Sequence, residues 1–214
     1  MVTPAAIRVG IVDDHAIVRT ALRQWLQDHA DLYVVGEAGN GFEALELVAR
    51  TPPDVLILDL GLPGRSGLDI IASLLAKAPD LAVLVFTGSP EAQYARQLLR
   101  EGARGYLHKS CSPDELVTAI RRVAGGHRHF SDALAQDLAM AHASGAGSPL
   151  DGLSKREFQV LLLLAEGAKP AAISEKLHLS ARTVTLYRSR LVRKLSLSTN
   201  SDLTYFALKH GLRD

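Results

Sequence analysis

The stretch VLILDLGLPGRSG, residues 55–67, decides the fold. Val55, Leu56, Ile57 and Leu58 form an unbroken apolar run, the pattern of a parallel-sheet strand buried on both faces. Asp59 ends the run, and Gly61, Pro63, Gly64 and Gly67 punctuate the segment beyond it. A carboxylate at the rim of a hydrophobic core is costly unless something compensates it. Taken singly, such an aspartate is more often a turn or capping residue, so the rest of the chain has to decide its role.

Working outward, four more apolar runs share this character: IRVGIVD (7–13), LYVVGEA (32–38), LAVLVFTG (81–88) and RGYLHK (104–109). Helical patterns separate them at about 15–29, 41–50, 67–78, 90–101 and 113–124. SPDE (112–115) is a capping box with Pro113 at the first helical position. Five βα units of this length predict an α/β domain, a flavodoxin-like doubly wound five-stranded parallel sheet of order 2-1-3-4-5. The domain is expected to span 1–126. A linker comes next at 127–149, with a short helix near 131–142 and a flexible ASGAGSP tail. His127 and His129 sit in that linker without a third ligand at a useful spacing.

From Leu150 to the end the pattern is helical, predicting a small all-α domain over 150–214. Helices are expected at 153–167, opened by a Ser154/Glu157 capping box and closed at Gly167, and at 170–180 from Pro170. Two more lie at 180–195, with Ser180 as N-cap, and at 200–211, ending at Gly211. Four short helices with brief connections match a helix-turn-helix module.

Bulk properties agree with two working domains. Residues 1–130 carry 13 Lys/Arg against 15 Asp/Glu, whereas residues 151–214 carry 11 against 6, so the C-terminal part is the one suited to a polyanion. The single cysteine, Cys111, excludes an internal disulfide and fits a reducing compartment. No apolar run approaches the roughly 20 residues of a membrane helix, and MVTPAAIRVG lacks the makings of a signal peptide. A cytoplasmic protein without membrane contact is expected.

In open α/β sheets ligands bind beyond the carboxyl ends of the strands. Asp13 and Asp14 come after the first strand, Asp59 after the third, Thr87 ends the fourth and Lys109 the fifth. In the order 2-1-3-4-5 the first and third strands are neighbours, which crowds three carboxylates into one corner. Two unit charges about 4 Å apart repel by roughly 4 kcal/mol at an effective dielectric of about 20. A hard divalent cation is the natural remedy, and Mg²⁺ takes one or two carboxylates plus water and phosphate oxygens.

The segments IVDDHAIVR (11–19), LDLGLPGRSGLD (58–69), FTG (86–88) and GYLHK (105–109), in this order, resemble a response-regulator receiver domain. The resemblance implies that Asp59 is the phosphoacceptor. It implies Mg²⁺ ligation by Asp14, Asp59 and the backbone carbonyl of Gly61, with Asp13 acting through water. Thr87 would bond the acylphosphate, Lys109 would pair with the phosphoryl oxygens, and Tyr106 would be the rotating aromatic. Ser110 departs from the pattern, since many receivers place a proline after the lysine. A phosphohydrolase with Asp59 as nucleophile is the competing reading; enzymes of the haloacid-dehalogenase type usually carry a second Asp two residues on, and here that position is Gly61.

TVTLYRSRLVRKL (183–195) places Val184, Tyr187, Leu191 and Leu195 on one face and Arg182, Thr185, Ser189 and Arg193 on the other. A helix with an apolar face and a basic, hydroxyl-bearing face fits a DNA major groove. Arg182, Arg188, Arg190 and Arg193 suit phosphates, Thr185, Leu186 and Ser189 are placed nearer base edges, and Thr183 is a further candidate DNA contact. Segment 153–212 resembles a LuxR-type helix-turn-helix through LSKRE, AEGAKPAAISEKLHLSARTV and LVRKLSL, with Lys169-Pro170, Ala172 and Tyr187 as departures. Together the two halves resemble a NarL/FixJ-type two-component response regulator. The expectation is a non-enzymatic transcription factor that takes phosphate from a sensor histidine kinase and binds promoter DNA as a homodimer. In that pairing, Leu203, Phe206, Ala207 and Leu208 of the last helix are candidates for the contact between two copies. A regulator indifferent to phosphorylation is the alternative, and the intact acidic site argues against it.

Overall fold

The computed structural model describes residues 6–132, 134, 136, 149–210 and 212. The chain divides into two compact units, Met1–Ser131 and Asp132–Asp214. The helix expected near 131–142 falls largely outside the described residues, as does the stop at Gly211.

In the first unit, strands β1 (Ile7–Val12), β2 (Leu32–Ala38), β3 (Val55–Leu58), β4 (Ala82–Thr87) and β5 (Gly105–His108) alternate with helices α1 (Ala16–Gln27), α2 (Gly41–Arg50), α3 (Gly67–Lys77), α4 (Glu91–Glu101) and α5 (Pro113–Ala124). All strand pairs are parallel, and the order is β2-β1-β3-β4-β5, as the alternation predicts. The central strands read as continuous apolar runs because both their faces are covered: every residue of β3 and β4 is buried. One face meets α1 and α5, where Leu22, Leu26, Leu116, Ile120 and Val123 pack on Val9, Ile11, Ile57 and Leu84. On the other face Leu47 of α2 packs towards Gly10 and Gly36. After α5 the chain turns back and lays His129 against the outer edge of β5, with His129 N donating to the Arg104 carbonyl and Tyr106 N donating to the His129 carbonyl.

The second unit contains α6 (Lys155–Ala165), α7 (Pro170–Leu177), α8 (Ala181–Lys194) and α9 (Asn200–Lys209). α6 opens on the expected Ser154/Glu157 capping box, and the Glu157 carboxylate also receives Lys194 Nζ at 2.7 Å, tying the end of α8 to the start of α6. His178 closes α7 in the left-handed conformation (φ 52°), and Ser180 caps α8 by accepting from Thr183 N. Lys169 stands at the N-cap of α7 with no side-chain cap bond, as the departure from the polar cap implies. A second capping box, Thr199/Asp202, opens α9. Among the described residues no helix is long and apolar enough to cross a membrane.

Candidate functional site

The acidic site is built at the carboxyl ends of neighbouring strands. β1 pairs with β3 so that Val12 lies beside Leu58, and Asp59 N continues the ladder by donating to the Val12 carbonyl. The next residues in each strand, Asp13 and Asp59, are therefore neighbours, and they are 2% and 5% exposed. Asp14 lies nearer solvent. One ligand atom from each of Asp13, Asp14, His15 and Asp59 lies within 4.8 Å of all the others. The structure thus brings together the three carboxylates expected there and adds an imidazole nitrogen that sequence reasoning left out.

Lys109 enters from the β5 side. Its Nζ donates to Asp59 Oδ2 at 2.8 Å and forms an ion pair with Asp13 Oδ2 at 2.6 Å, an oxygen with no directed hydrogen bond. Burial alone would push the Lys109 ammonium down, but the Asp13 and Asp59 carboxylates outweigh it and hold the group above its ordinary value. The backbone around Asp13 is fixed as well: Arg19 Nη1 donates to the Asp13 carbonyl at 2.6 Å, and His15 N donates to Asp13 Oδ1 at 2.8 Å.

The loop after β3 is shaped by glycine. A Cβ on Gly67 would stand 2.1 Å from the Asp59 carbonyl oxygen, so the close return of the chain requires its absence, and Gly67 N donates to the Leu60 carbonyl instead. At Gly61 a Cβ would lie 3.3 Å from Asp59 Oδ2, directly against the carboxylate.

Thr87, the last residue of β4, is 3% exposed, and its Oγ1 accepts a long bond from Ser89 N at 3.5 Å. Tyr106 is buried and turns its hydroxyl onto the Ser89 carbonyl, to which it donates. Burial, with the nearby Glu91 charge, pushes that phenol up to about 12. The Thr87 and Tyr106 side chains thus converge on one loop, residues 87–89. Cys111 is half-buried, and burial raises its thiol.

On the second unit, α8 buries Val184 and Leu191 and exposes Arg182, Thr185, Leu186, Ser189, Arg190 and Arg193. The exposed side chains form one face, with Leu186 48% exposed. Four of the expected DNA contacts are engaged within the module: Thr183 Oγ1 lies 2.7 Å from Ser180 Oγ, Thr185 Oγ1 donates to the Ala181 carbonyl at 3.0 Å, Ser189 Oγ donates to the Thr185 carbonyl at 3.0 Å, and Arg188 Nε donates to Asn200 Oδ1 at 2.7 Å. Of the four apolar residues singled out on α9, Leu203 and Ala207 are fully buried in their own unit, whereas Leu208 is exposed together with Tyr205.

A doubly wound sheet with carboxylates and a lysine converging at its strand ends, joined to a helix-turn-helix with a basic outer face, defines a receiver coupled to a DNA reader. Residues 9–121 match the response regulator receiver domain family, and residues 151–207 match the luxR family of bacterial regulatory proteins. The chain belongs to the NarL/FixJ-type response regulators: it carries a receiver and a LuxR-type DNA-binding domain and is a transcription factor. It is 40% identical over 210 residues to response regulator GacA of Pseudomonas aeruginosa, covering 97% of this chain and 98% of that one. To response regulator UvrY of Escherichia coli it is 36% identical over 208 residues, covering 96% and 95%. The structure of RcsB from Salmonella enterica serovar Typhimurium, bound to promoter rprA in the presence of the phosphomimetic BeF3-, matches with a TM-score of 0.68 at 25% identity, covering 94% of this chain and 98% of that one.

Proposed function

We propose that Asp59 is the phosphoacceptor of a sensor histidine kinase and that its phosphorylation controls binding of α8 to promoter DNA. The observation that carries this reading is the buried Asp59 carboxylate, set at a strand end against Lys109 Nζ at 2.8 Å and within the four-residue donor cluster. An Asp59 carboxylate oxygen attacks phosphorus, the P–N bond to the donor histidine breaks, and the departing imidazole takes up a proton. The product is an acylphosphate on Asp59.

The donor set is dominated by hard carboxylate oxygens, which fits Mg²⁺. Asp14, Asp59 and the Gly61 carbonyl would hold it, with Asp13 acting through water. When bound, Mg²⁺ supplies positive charge opposite the phosphoryl oxygens. Lys109, which pairs with Asp13 and Asp59 in the structure, would turn to those oxygens from the other side, and Thr87 would donate its hydroxyl. Movement of Thr87 pulls on loop 87–89, to which Tyr106 is bonded. The Tyr106 N–H is in turn held by the His129 carbonyl, at the start of the linker that leads to the second unit. The charge added at Asp59 thereby reaches the chain between the two domains.

The receiver is assigned to 1–126, the linker to 127–149 and the DNA reader to 150–214, in a cytoplasmic protein that binds DNA as a homodimer through surfaces that include the exposed side of α9. Arg182, Arg190 and Arg193 would contact phosphates; Thr185, Leu186 and Ser189 would face base edges. Thr183 and Arg188 would join them. Incubation with labelled acetyl phosphate and Mg²⁺ should label the wild type and leave Asp59→Asn blank; label on Asp59→Asn refutes the site. Promoter affinity measured with and without acetyl phosphate should differ, and equal affinity would favour the phosphorylation-independent regulator.

A further inference from the structure

β5 and the residue after it hold loop 87–89 by three consecutive carbonyls. Lys109 N donates to the Thr87 carbonyl at 2.8 Å, the His108 ring meets the Gly88 carbonyl, and the Tyr106 hydroxyl takes the Ser89 carbonyl. The middle contact has no place in the acidic site. His108 lies opposite Thr87 in the β4–β5 ladder. Its Nε2 is 3.0 Å from the Gly88 carbonyl, while its Nδ1 is 2.6 Å from Ser110 Oγ and 3.2 Å from Ser110 N.

These partners assign the tautomer. A backbone N–H only donates and a carbonyl only accepts, so Nδ1 is the bare acceptor and Nε2 carries the hydrogen. A single neutral imidazole satisfies every contact, with the Ser110 hydroxyl as a second donor to Nδ1. The ring therefore joins the residue after Thr87 to the residue after Lys109. His108 itself is exposed, so core packing does not account for its placement. The staple also depends on Ser110, because a proline there would offer neither an N–H nor a hydroxyl.

We infer that His108, supported by Ser110, is a positioning residue for phosphoryl capture, fixing Thr87 and Lys109 relative to each other across the carboxyl end of the sheet; this rests on the assignment of Asp59 as phosphoacceptor. The two side chains it positions are those that would meet the phosphoryl oxygens, whereas the acids that would hold Mg²⁺ follow the ends of β1 and β3. Loss of the staple should therefore weaken phosphoryl chemistry and spare the metal.

The test uses the full-length chain with His108→Ala, Ser110→Ala and the double variant. Three quantities are measured: the initial rate of labelling by acetyl phosphate, BeF3- affinity at saturating Mg²⁺, and Mg²⁺ affinity by calorimetry. His108→Ala should label roughly fivefold more slowly, the worth of one net hydrogen bond, with BeF3- affinity reduced in parallel and Mg²⁺ affinity unchanged. Ser110→Ala should show a smaller loss in the same direction, and the double variant should be no slower than His108→Ala. Wild-type labelling by both single variants, multiplied losses in the double, or Mg²⁺ affinity falling alongside the labelling rate overturns the inference, the last because it signals general loosening. A wild type that takes no label, or label persisting on Asp59→Asn, fails at the earlier step and removes the acceptor site on which the staple would act.

Discussion

Lys109→Ala is the most informative single perturbation of the acidic site. The lysine is shared by Asp13 and Asp59 at 2.6 and 2.8 Å, and both carboxylates are almost wholly buried. Its removal leaves two buried charges facing each other, with Asp14 alongside. Removing one partner of a buried pair typically costs about 3–5 kcal/mol. The Lys109 side chain is itself 24% exposed, and water reaching the vacated space lowers the expected loss to about 2 kcal/mol. Because the carboxylates hold the ammonium above its usual value, its contribution is fully present below pH 10.5 and is lost only as pH rises beyond that. Any neutral buffer therefore measures the full effect.

Urea unfolding followed by tryptophan fluorescence isolates the right unit, since the one tryptophan, Trp25, lies on α1. With a slope of about 2 kcal/mol per molar urea, the midpoint should fall by about 1 M in the absence of divalent cations. Under the proposed assignment, Mg²⁺ and the ammonium would both draw on the Asp13 and Asp59 carboxylates, so removing the lysine should tighten Mg²⁺ binding. At a hundredfold excess over the dissociation constant the cation adds about 2.7 kcal/mol, enough to restore the variant. An unchanged midpoint without Mg²⁺ would refute the reasoning, as would Mg²⁺ stabilising the wild type as strongly as the variant.

The same geometry sets three further outcomes. Tyr106, pushed up to about 12 chiefly by burial, should ionise in a distinct late step of a spectrophotometric titration. Its protonated form stabilises the fold fully below pH 10, and that contribution should fade between pH 10 and about 12; Tyr106→Phe should remove the late step. Gly67→Ala forces a Cβ to 2.1 Å from the Asp59 carbonyl, so the loop must move; a loss of about 2 kcal/mol or more in urea unfolding and slower labelling are expected. Arg193→Ala should weaken promoter binding similarly across sequences and reduce the salt slope by about 1, whereas Ser189→Ala should alter discrimination between sites, as gel shifts over a salt series would show.

The elements and the strand order were legible because each strand buried on both faces prints an unbroken apolar run, and connections of βα length leave few topologies to choose from. The strand-end rule then places Asp13, Asp59, Thr87 and Lys109 at one end of the sheet without any distance. Cross-strand and cross-chain partners were not legible, because they depend on register. Nothing local to His108 says that it lies opposite Thr87, and nothing near Glu157 points to a lysine 37 residues away. Charge alone likewise marked Arg188 as a phosphate contact, although its guanidinium is bonded to Asn200. The apolar residues of α9 read as candidates for the contact between two copies, but packing buries Leu203 and Ala207 in their own unit and leaves Leu208 outside. Chemistry that sits at chain positions fixed by topology can be read from one sequence. Chemistry that needs two segments in register, such as Tyr106 and His108 of β5 and the following Lys109 holding loop 87–89, appears only when the strands are laid side by side.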